Sequence, residues 1–264
     1  MSLEILDVDY TRYVTVLGTA HFTLRSLREA CEAVQELKPT DLAIELDMDR
    51  FRILQGLNGS SMVQALKCEF IGAVEAFGNS NADIWLIDMS ENEMRMRMGA
   101  APENRHEWYS RIGYPWFRPV DDEYRMWELG LKDEVLKRNV ERLENLRRRA
   151  PHIWRVLIEE RNTIMAARIA WIATQRIDRG EEPKILAVVG AAHVEGIESL
   201  LRRPEEIGEN LRRYGLKFSP PKLIRKININ ICVSAFLNII IGCVVKQCLI
   251  NLKFLIKRKT IINL

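Results

Sequence analysis

The sequence lacks the short motifs that mark several common enzyme classes. It contains no Gly-x-Ser-x-Gly, no His-Glu-x-x-His, no Gly-x-Gly-x-x-Gly and no Walker loop. These absences argue against a serine hydrolase, a zincin, a dinucleotide enzyme and a P-loop enzyme. The five cysteines are an odd number and include no Cys-x-x-Cys pair. This cysteine usage is typical of a reducing compartment and not of a disulfide scaffold.

Acidic residues are absent from the C-terminal segment. Residues 222–264 carry eight Lys or Arg and no Asp or Glu, so residues 1–221 have 31 basic and 36 acidic side chains and a net charge of −5. A mildly acidic body lacks the basic stripe of nucleic-acid-binding domains, and we expect no nucleic-acid partner. The N-terminus has acids where an export signal has bases. We therefore expect no signal peptide and a location in the cytoplasm or at the cytoplasmic membrane.

Residues 222–264 form a hydrophobic, basic tail that differs in composition from the rest of the chain. Its charge-free run at 227–245 is close to the roughly 20 residues that span a bilayer. Asn228, Asn230 and Asn238 oppose a membrane span, because each amide would need a partner in hydrocarbon. We therefore separate a domain of residues 1–221 from this tail, which is either a membrane anchor or an appendage packed on the body.

The body alternates strand-like and helix-like segments. Short apolar runs predict strands at residues 14–17, 42–46, 83–88 and 184–189. Helical periodicity is present at residues 24–37, 62–77, 133–149 and 152–176. Ser26 and Glu29 have the spacing of a capping box for the first helix. We expect residues 99–122 to form a loop with a short helix. The alternation predicts an α/β fold: a central, mainly parallel sheet with flanking helices and a long helical layer or hairpin.

A repeated pattern at two predicted strand ends is the most informative feature. Residues 14–21 read VTVLGTAH and residues 186–193 read LAVVGAAH. In each copy an apolar strand stops at Gly, two small residues follow, and a His stands where the next helix begins. Because parallel strands end at the same edge of a sheet, we expect His21 and His193 to lie together there.

Acidic side chains reach the same edge. Glu45 and Asp47 follow the second predicted strand, on one side of it. Gly18 and Gly190 precede the histidines and leave room for substrate or backbone to approach. Two imidazoles with a carboxylate suit manganese, cobalt, zinc or a related divalent ion. A carboxylate that is not a ligand could instead take a proton from water, so the residues predict a divalent-metal or acid/base site.

Four motifs taken together resemble the TraB/PrgY family over roughly residues 13–221. They are Gly-Thr-Ala-His at 18–21, Glu-Leu-Asp at 45–47 followed by Arg50, Glu-Arg-Asn at 160–162 followed by Met-Ala, and Gly-Ala-Ala-His-Val-x-Gly-Ile at 190–197. That family is similar to the Tiki proteins, which are metal-dependent peptidases with two Gly-x-x-His motifs. It is similar more distantly to the erythromycin-esterase and ChaN-like fold.

The resemblance implies roles for individual residues. His21 and His193 would be metal ligands, and Glu45 a ligand or the catalytic carboxylate. Arg161 and Asn162 would be catalytic residues facing the site, an assignment that depends on the resemblance alone.

Asp47, Arg50 and Asp88 have two interpretations. They are either supporting groups that hold the ligands or members of structural salt bridges.

The resemblance implies a metal-dependent hydrolase of peptide or amide bonds that inactivates a peptide signal, as PrgY-like members do at the membrane. The alternative is a protein that binds and sequesters a peptide, or a ligand such as haem, through the same two histidines without turnover. A third interpretation is a fold in which the histidines only brace the turns. The expected partner is a peptide. If the tail is a membrane anchor, the protein also contacts a membrane through it. Homo-oligomerisation is possible.

Overall fold

A computed structural model describes residues 3–56, 68–77, 83–99 and 122–224. Three of the predicted segments lie wholly or partly outside these residues: the loop at 99–122, the first part of the helix at 62–77, and nearly all of the tail. The boundary between the body and the tail stays a prediction.

The described strands form a five-stranded, mostly parallel sheet in the order β1-β4-β2-β3-β5. The strands are β1 (Val14–Thr19), β2 (Asp41–Ile44), β3 (Asp83–Leu86), β4 (Ile185–Gly190) and β5 (Lys222–Ile224). Only β5, which the sequence did not predict, runs antiparallel to its neighbour β3, whereas the other neighbours pair in parallel. β4 and β2 are buried along their length, and apolar except for Asp41 at the start of β2, because helices cover both faces of the central strands. The predicted α/β class is confirmed.

The helices connect and flank the strands. Their bounds are α1 (Leu24–Leu37), α2 (Met48–Gly56), α3 (Glu69–Phe77), α4 (Glu91–Gly99), α5 (Asp122–Glu128), α6 (Lys132–Arg149), α7 (Pro151–Trp154), α8 (Arg161–Ile177), α9 (Val194–Arg202) and α10 (Glu205–Tyr214). A π-helical turn, Arg155–Glu160, joins α7 to α8, and short 3₁₀ turns occupy Tyr10–Arg12 and Ala191–His193. None of the helices in the described ranges is long and apolar enough to cross a membrane.

Helix α8 is the centre of the hydrophobic core. Its side chains are buried from Asn162 to Ala167 and again at most positions up to Thr174, and they pack with β4, α9 and α10. Burial of this kind contributes about 25 cal/mol for each Å² of apolar surface removed from water. The first residues of α8 are therefore held firmly where the helix begins.

The N-terminus of α1 differs from the prediction. The cap is Thr23, whose hydroxyl accepts a hydrogen bond from the Ser26 amide at 3.1 Å, so the capping box at Ser26 was wrong. Ser26 lies inside the first turn, where its hydroxyl accepts from the Ala20 amide and from the Trp127 indole, both at 3.0 Å. Because that hydroxyl is used by tertiary partners, the cap moves to the threonine three residues earlier.

Candidate functional site

The two histidines of the repeated pattern lie at the same edge of the sheet. Strands β1 and β4 are parallel neighbours, with Thr19 opposite Gly190. His21 follows β1 by two residues, and His193 ends the 3₁₀ turn that follows β4. The repeat in the sequence therefore corresponds to two adjacent strand-to-helix turns.

Glu45 lies beside both histidines. It follows β2, the other neighbour of β4, and its carboxylate accepts a hydrogen bond from the Gly190 amide. Its Oε1 is 3.6 Å from His193 Nε2. A methyl group on Gly190 would lie 3.2 Å from His21 Nε2 and 3.3 Å from Glu45 Oε2. His21 and Glu45 thus border one small space, which the missing side chain of Gly190 keeps open, and His193 lies on the other side of the Glu45 carboxylate.

Arg161, the first residue of α8, connects the acidic and imidazole groups. Its Nε and Nη2 donate to the two oxygens of Asp88 at 3.0 and 2.7 Å. Nη2 also donates to Glu45, and Nη1 donates to His193 Nε2 at 3.0 Å. Only 11% of the Arg161 side chain is exposed. A bidentate guanidinium in a buried position fixes the geometry of all three partners.

Asp47 and Arg50 extend this network away from the histidines. Arg50 donates to Asp88 Oδ2 at 2.6 Å and to Asp47 Oδ2 at 3.1 Å. Asp47 also accepts from the amides of Arg50 and Glu91, each at 2.7 Å, so it holds the first turns of α2 and α4. Arg50 is therefore linked to Glu45 and His193 through Asp88 and Arg161, and Asp47 is linked to them through Arg50.

Two carboxylates of the network, Asp88 and Glu45, have pKa values below their ordinary range. Burial opposes the charged form of Asp88, but Arg161 and Arg50 outweigh it and hold the Asp88 pKa well below its ordinary value. For Glu45, burial is likewise outweighed by neighbouring positive charge, to which Arg161 contributes while His193 is neutral, and the pKa is lowered. Both side chains act as hydrogen-bond acceptors only.

His193 is neutral, and its tautomer is set by its neighbours. Burial lowers its pKa to about 4, and the charge of Arg161 adds to this effect, although Glu45 opposes it. Because a guanidinium only donates, Nε2 must accept from Arg161, and Nδ1 carries the proton. Nδ1 donates to Asn162 Oδ1 at 2.6 Å. A Cβ on Gly196 would lie 2.1 Å from Asn162 Nδ2, so α9 needs glycine there to leave room for this amide.

His21 has a partner that sequence reasoning missed. Its Nδ1 lies 2.6 Å from Oε1 of Glu69, the first residue of α3. Burial alone would lower the His21 pKa, but Glu69, with Glu45, outweighs it, and the pKa is raised. The available signal was an acid at the start of an otherwise apolar, buried helix segment, which on its own is only a common N-terminal preference.

Gly18 has a packing role. A Cβ at this position would lie 2.7 Å from Val194 Cγ2 and 3.2 Å from Ala191 Cα. Its missing side chain lets the turn after β4 pack onto β1. Gly18 therefore differs from Gly190, which borders the histidines.

Comparison with known proteins finds a family match over the segment that contains α8 and α9. Residues 119–213 match the TraB/PrgY/gumN family model. The resemblance expected from the sequence is confirmed, and the matched segment contains Arg161, Asn162, His193 and Gly196. An uncharacterized protein of Methanocaldococcus jannaschii is 25% identical over 227 residues, which cover 73% of this chain and 54% of that protein. The chain thus spans about half the length of that curated relative.

The TraB/PrgY resemblance implied that Arg161 and Asn162 face the site, and the structure places both beside His193. Neither could be assigned from its own surroundings in the sequence. Within the described ranges, no group of three or more His, Cys, Asp or Glu side chains is arranged to hold a metal ion. The reason is local: the Arg161 guanidinium occupies the position next to His193 Nε2 that a shared ion would need.

Proposed function

We propose that the chain is a hydrolase of peptide or amide bonds whose site is formed by His21, Glu45 and His193, with a divalent metal ion as cofactor. One observation carries the proposal. Each imidazole is anchored through Nδ1 to a buried acceptor, Glu69 or Asn162, so that Nε2 is the nitrogen turned toward the site, where Nε2 of His193 accepts a hydrogen bond from Arg161. Metal-binding histidines in proteins use this arrangement, because the outer hydrogen bond fixes the tautomer and the orientation of the ring.

The donor set suits manganese, cobalt or zinc in its chemistry. The two imidazole nitrogens would hold the ion, and the Glu45 carboxylate would be either a third ligand or, when it is not a ligand, the base, leaving positions for water or substrate. Such an ion would polarise a carbonyl group and lower the pKa of a bound water molecule. His193 becomes available as a ligand only when its hydrogen bond from Arg161 Nη1 opens.

The residues of the chain supply the remaining functions. Glu45 is an ionised acceptor that borders the open space over Gly190, so it can take a proton from water there. Arg161 holds Glu45 in place and keeps it ionised. Asp88 and Arg50 hold Arg161 from behind. A site fixed in this way loses little free energy to reorganisation when a substrate binds.

A binding protein without turnover is the second candidate. The specific observation in its favour is that every polar atom of Arg161 and both imidazole nitrogens of His193 already have partners within the protein. A peptide, or a ligand such as haem, would then be held by the exposed part of His21 and sequestered. The PrgY-like action on a peptide signal is compatible with both candidates and is proposed on the family match alone.

Metal content is the first experiment. The purified chain would be offered manganese, cobalt and zinc, and bound metal would be compared between the unmodified protein and a His21→Ala/His193→Ala variant. We expect close to one ion per chain, lost in the double variant. Absence of bound metal in the unmodified protein under all three conditions would remove the metal-dependent mechanism.

Turnover separates the two candidates. A peptide library would be incubated with the metal-loaded protein and with Glu45→Gln, which keeps the shape of the side chain but cannot take a proton. A hydrolase predicts cleavage that falls by at least about 100-fold in the variant while peptide binding is retained. Binding without cleavage in the unmodified protein would support sequestration.

A further inference from the structure

Glu69 is a fully buried carboxylate whose hydrogen bonds extend beyond the contact with His21 to the backbone around that histidine. It begins α3, whose following residues Phe70, Ile71 and Val74 are buried and apolar. A buried carboxylate costs several kcal/mol unless its hydrogen bonds offset the loss of water. Helix packing alone would be served better by an apolar residue, so the acid at this position needs a reason in its contacts.

Among the described residues, the hydrogen-bond partners of the Glu69 side chain are Thr19, His21 and Phe22, which belong to the segment that carries His21. Oε2 accepts from the Phe22 amide at 3.1 Å, and Oε1 lies 2.6 Å from His21 Nδ1. The Thr19 hydroxyl is 3.1 Å from Oε1 and also 3.1 Å from the Val189 carbonyl. Both oxygens therefore face donors from one short segment, and the carboxylate holds both the backbone and the imidazole of this turn.

The backbone of the turn requires such an anchor. Phe22 has a φ of +61°, in the left-handed region that a non-glycine residue adopts at a cost of about 1 kcal/mol or more. Its amide donates to Glu69, which offsets this cost. The ring of His21 is thereby presented in one position relative to β1.

We propose that Glu69 is a positioning residue that keeps the proton of His21 on Nδ1 and directs the Nε2 lone pair into the site. A carboxylate accepts at both oxygens, so the group 2.6 Å away must donate. Asn162 does the same for His193 with a neutral amide. The two matching turns therefore present the same nitrogen, but His21 has a carboxyl group behind it where His193 has an amide, and such a carboxyl partner makes Nε2 the more basic.

The decisive variant is Glu69→Gln, because an amide has one acceptor and one donor. If the amide oxygen faces the Phe22 amide, the NH₂ group faces His21 Nδ1 and forces the proton to Nε2. If the oxygen faces His21, two donors meet at Phe22. Neither orientation satisfies both contacts, whereas Glu69→Asp keeps two acceptors on a shorter side chain and should restore part of the wild-type behaviour.

The tautomer of His21 can be measured directly by long-range ¹H–¹⁵N correlation spectra of the metal-free protein, recorded at a pH high enough that His21 is neutral. We expect the Nδ1–H tautomer in the unmodified chain. In Glu69→Gln we expect a shift toward Nε2–H, and in the matched control Glu75→Gln, on the same helix, no change. An Nε2–H tautomer in the unmodified protein would overturn the proposal even if the variant failed to fold.

A second readout follows the metal. Cobalt affinity should fall by roughly 10- to 100-fold in Glu69→Gln, with a changed visible spectrum, and should recover in part in Glu69→Asp. Affinity and spectrum within twofold of wild type in a folded Glu69→Gln protein would contradict the positioning role. The inference uses the site of the proposed function but not its chemistry: a protein that binds no cobalt refutes the metal mechanism, and the tautomer spectra still decide the role of Glu69.

Discussion

Replacing Arg161 with Met should destabilise the protein by about 3–5 kcal/mol, because it leaves buried carboxylates without their cation. Asp88 would keep Arg50 and the Met89 amide as partners. Glu45 would keep the Gly190 amide, and the guanidinium that holds its Oε1 would be gone. A loss of this size is a large part of the 5–15 kcal/mol that typically separates folded from unfolded domains.

Urea unfolding followed by circular dichroism would measure the effect. With a slope of about 2 kcal/mol/M, the midpoint should fall by roughly 2 M. The control is Arg52→Met, since Arg52 is exposed and its nearest acidic partner, Asp49, is 3.8 Å away. We expect the control to change stability by no more than about 0.5 kcal/mol. A loss below about 1 kcal/mol for Arg161→Met would show that the network does not hold the fold as argued.

The same variant should change metal affinity in the opposite direction. Arg161 Nη1 donates a hydrogen bond to His193 Nε2, and this bond blocks the lone pair that a metal ion would need. A guanidinium about 4 Å from a divalent ion also repels it by several kcal/mol at an effective dielectric constant of about 20. Cobalt should therefore bind at least about tenfold more tightly to Arg161→Met than to wild type, as measured by titration of the visible spectrum. Weaker binding would mean that Arg161 supports the metal site through Glu45 and does not compete with it.

Three further variants probe single contacts. Gly190→Ala should lower cobalt affinity at least about tenfold with little loss of thermal stability, because the methyl group would crowd His21 Nε2 while the backbone φ of −59° accepts any residue. Thr23→Ala should cost about 1 kcal/mol in urea unfolding by removing the cap of α1, and a cost below about 0.3 kcal/mol would contradict that role. In the metal-free protein, the folded His193 pKa of about 4 lies below its unfolded value of about 6.5, so the unfolded state takes up the proton first. The free energy of unfolding should therefore fall by up to roughly 3 kcal/mol as the pH is lowered from about 6.5 to about 4. In His193→Gln the free energy of unfolding should depend less on pH over the same range.

The sequence predicted the sheet and the edge at which the site lies because these depend on local, periodic signals. The apolar runs that became β1, β2, β3 and β4 are short and bounded by polar or glycine residues, and their parallel pairing follows from the helices between them. The repeat ending in His21 and His193 then required only that two parallel strands be neighbours.

The partners of the histidines could not be predicted in the same way. Glu69 is 48 residues from His21, and Asn162 is 31 residues from His193. Contacts at that separation depend on how helices pack, and no local spacing encodes them. Arg161 and Asn162 were reached only through the family resemblance, and the π-helical turn before them leaves no mark in the hydrophobic period.

The two turns share a sequence pattern and a backbone role, but their surroundings make the two imidazoles chemically different. His193 lies between an amide that accepts from Nδ1 and a guanidinium that donates to Nε2, and its burial and the guanidinium favour the neutral ring. His21 is backed by the carboxylate of Glu69, which favours the proton or a cation on the other nitrogen. A duplicated motif thus places two like side chains at one edge, and residues on α3 and α8 then give them different electrostatic environments. Acid/base and metal chemistry both benefit from such a pair, because one ring can bind or carry a proton while its neighbour stays neutral.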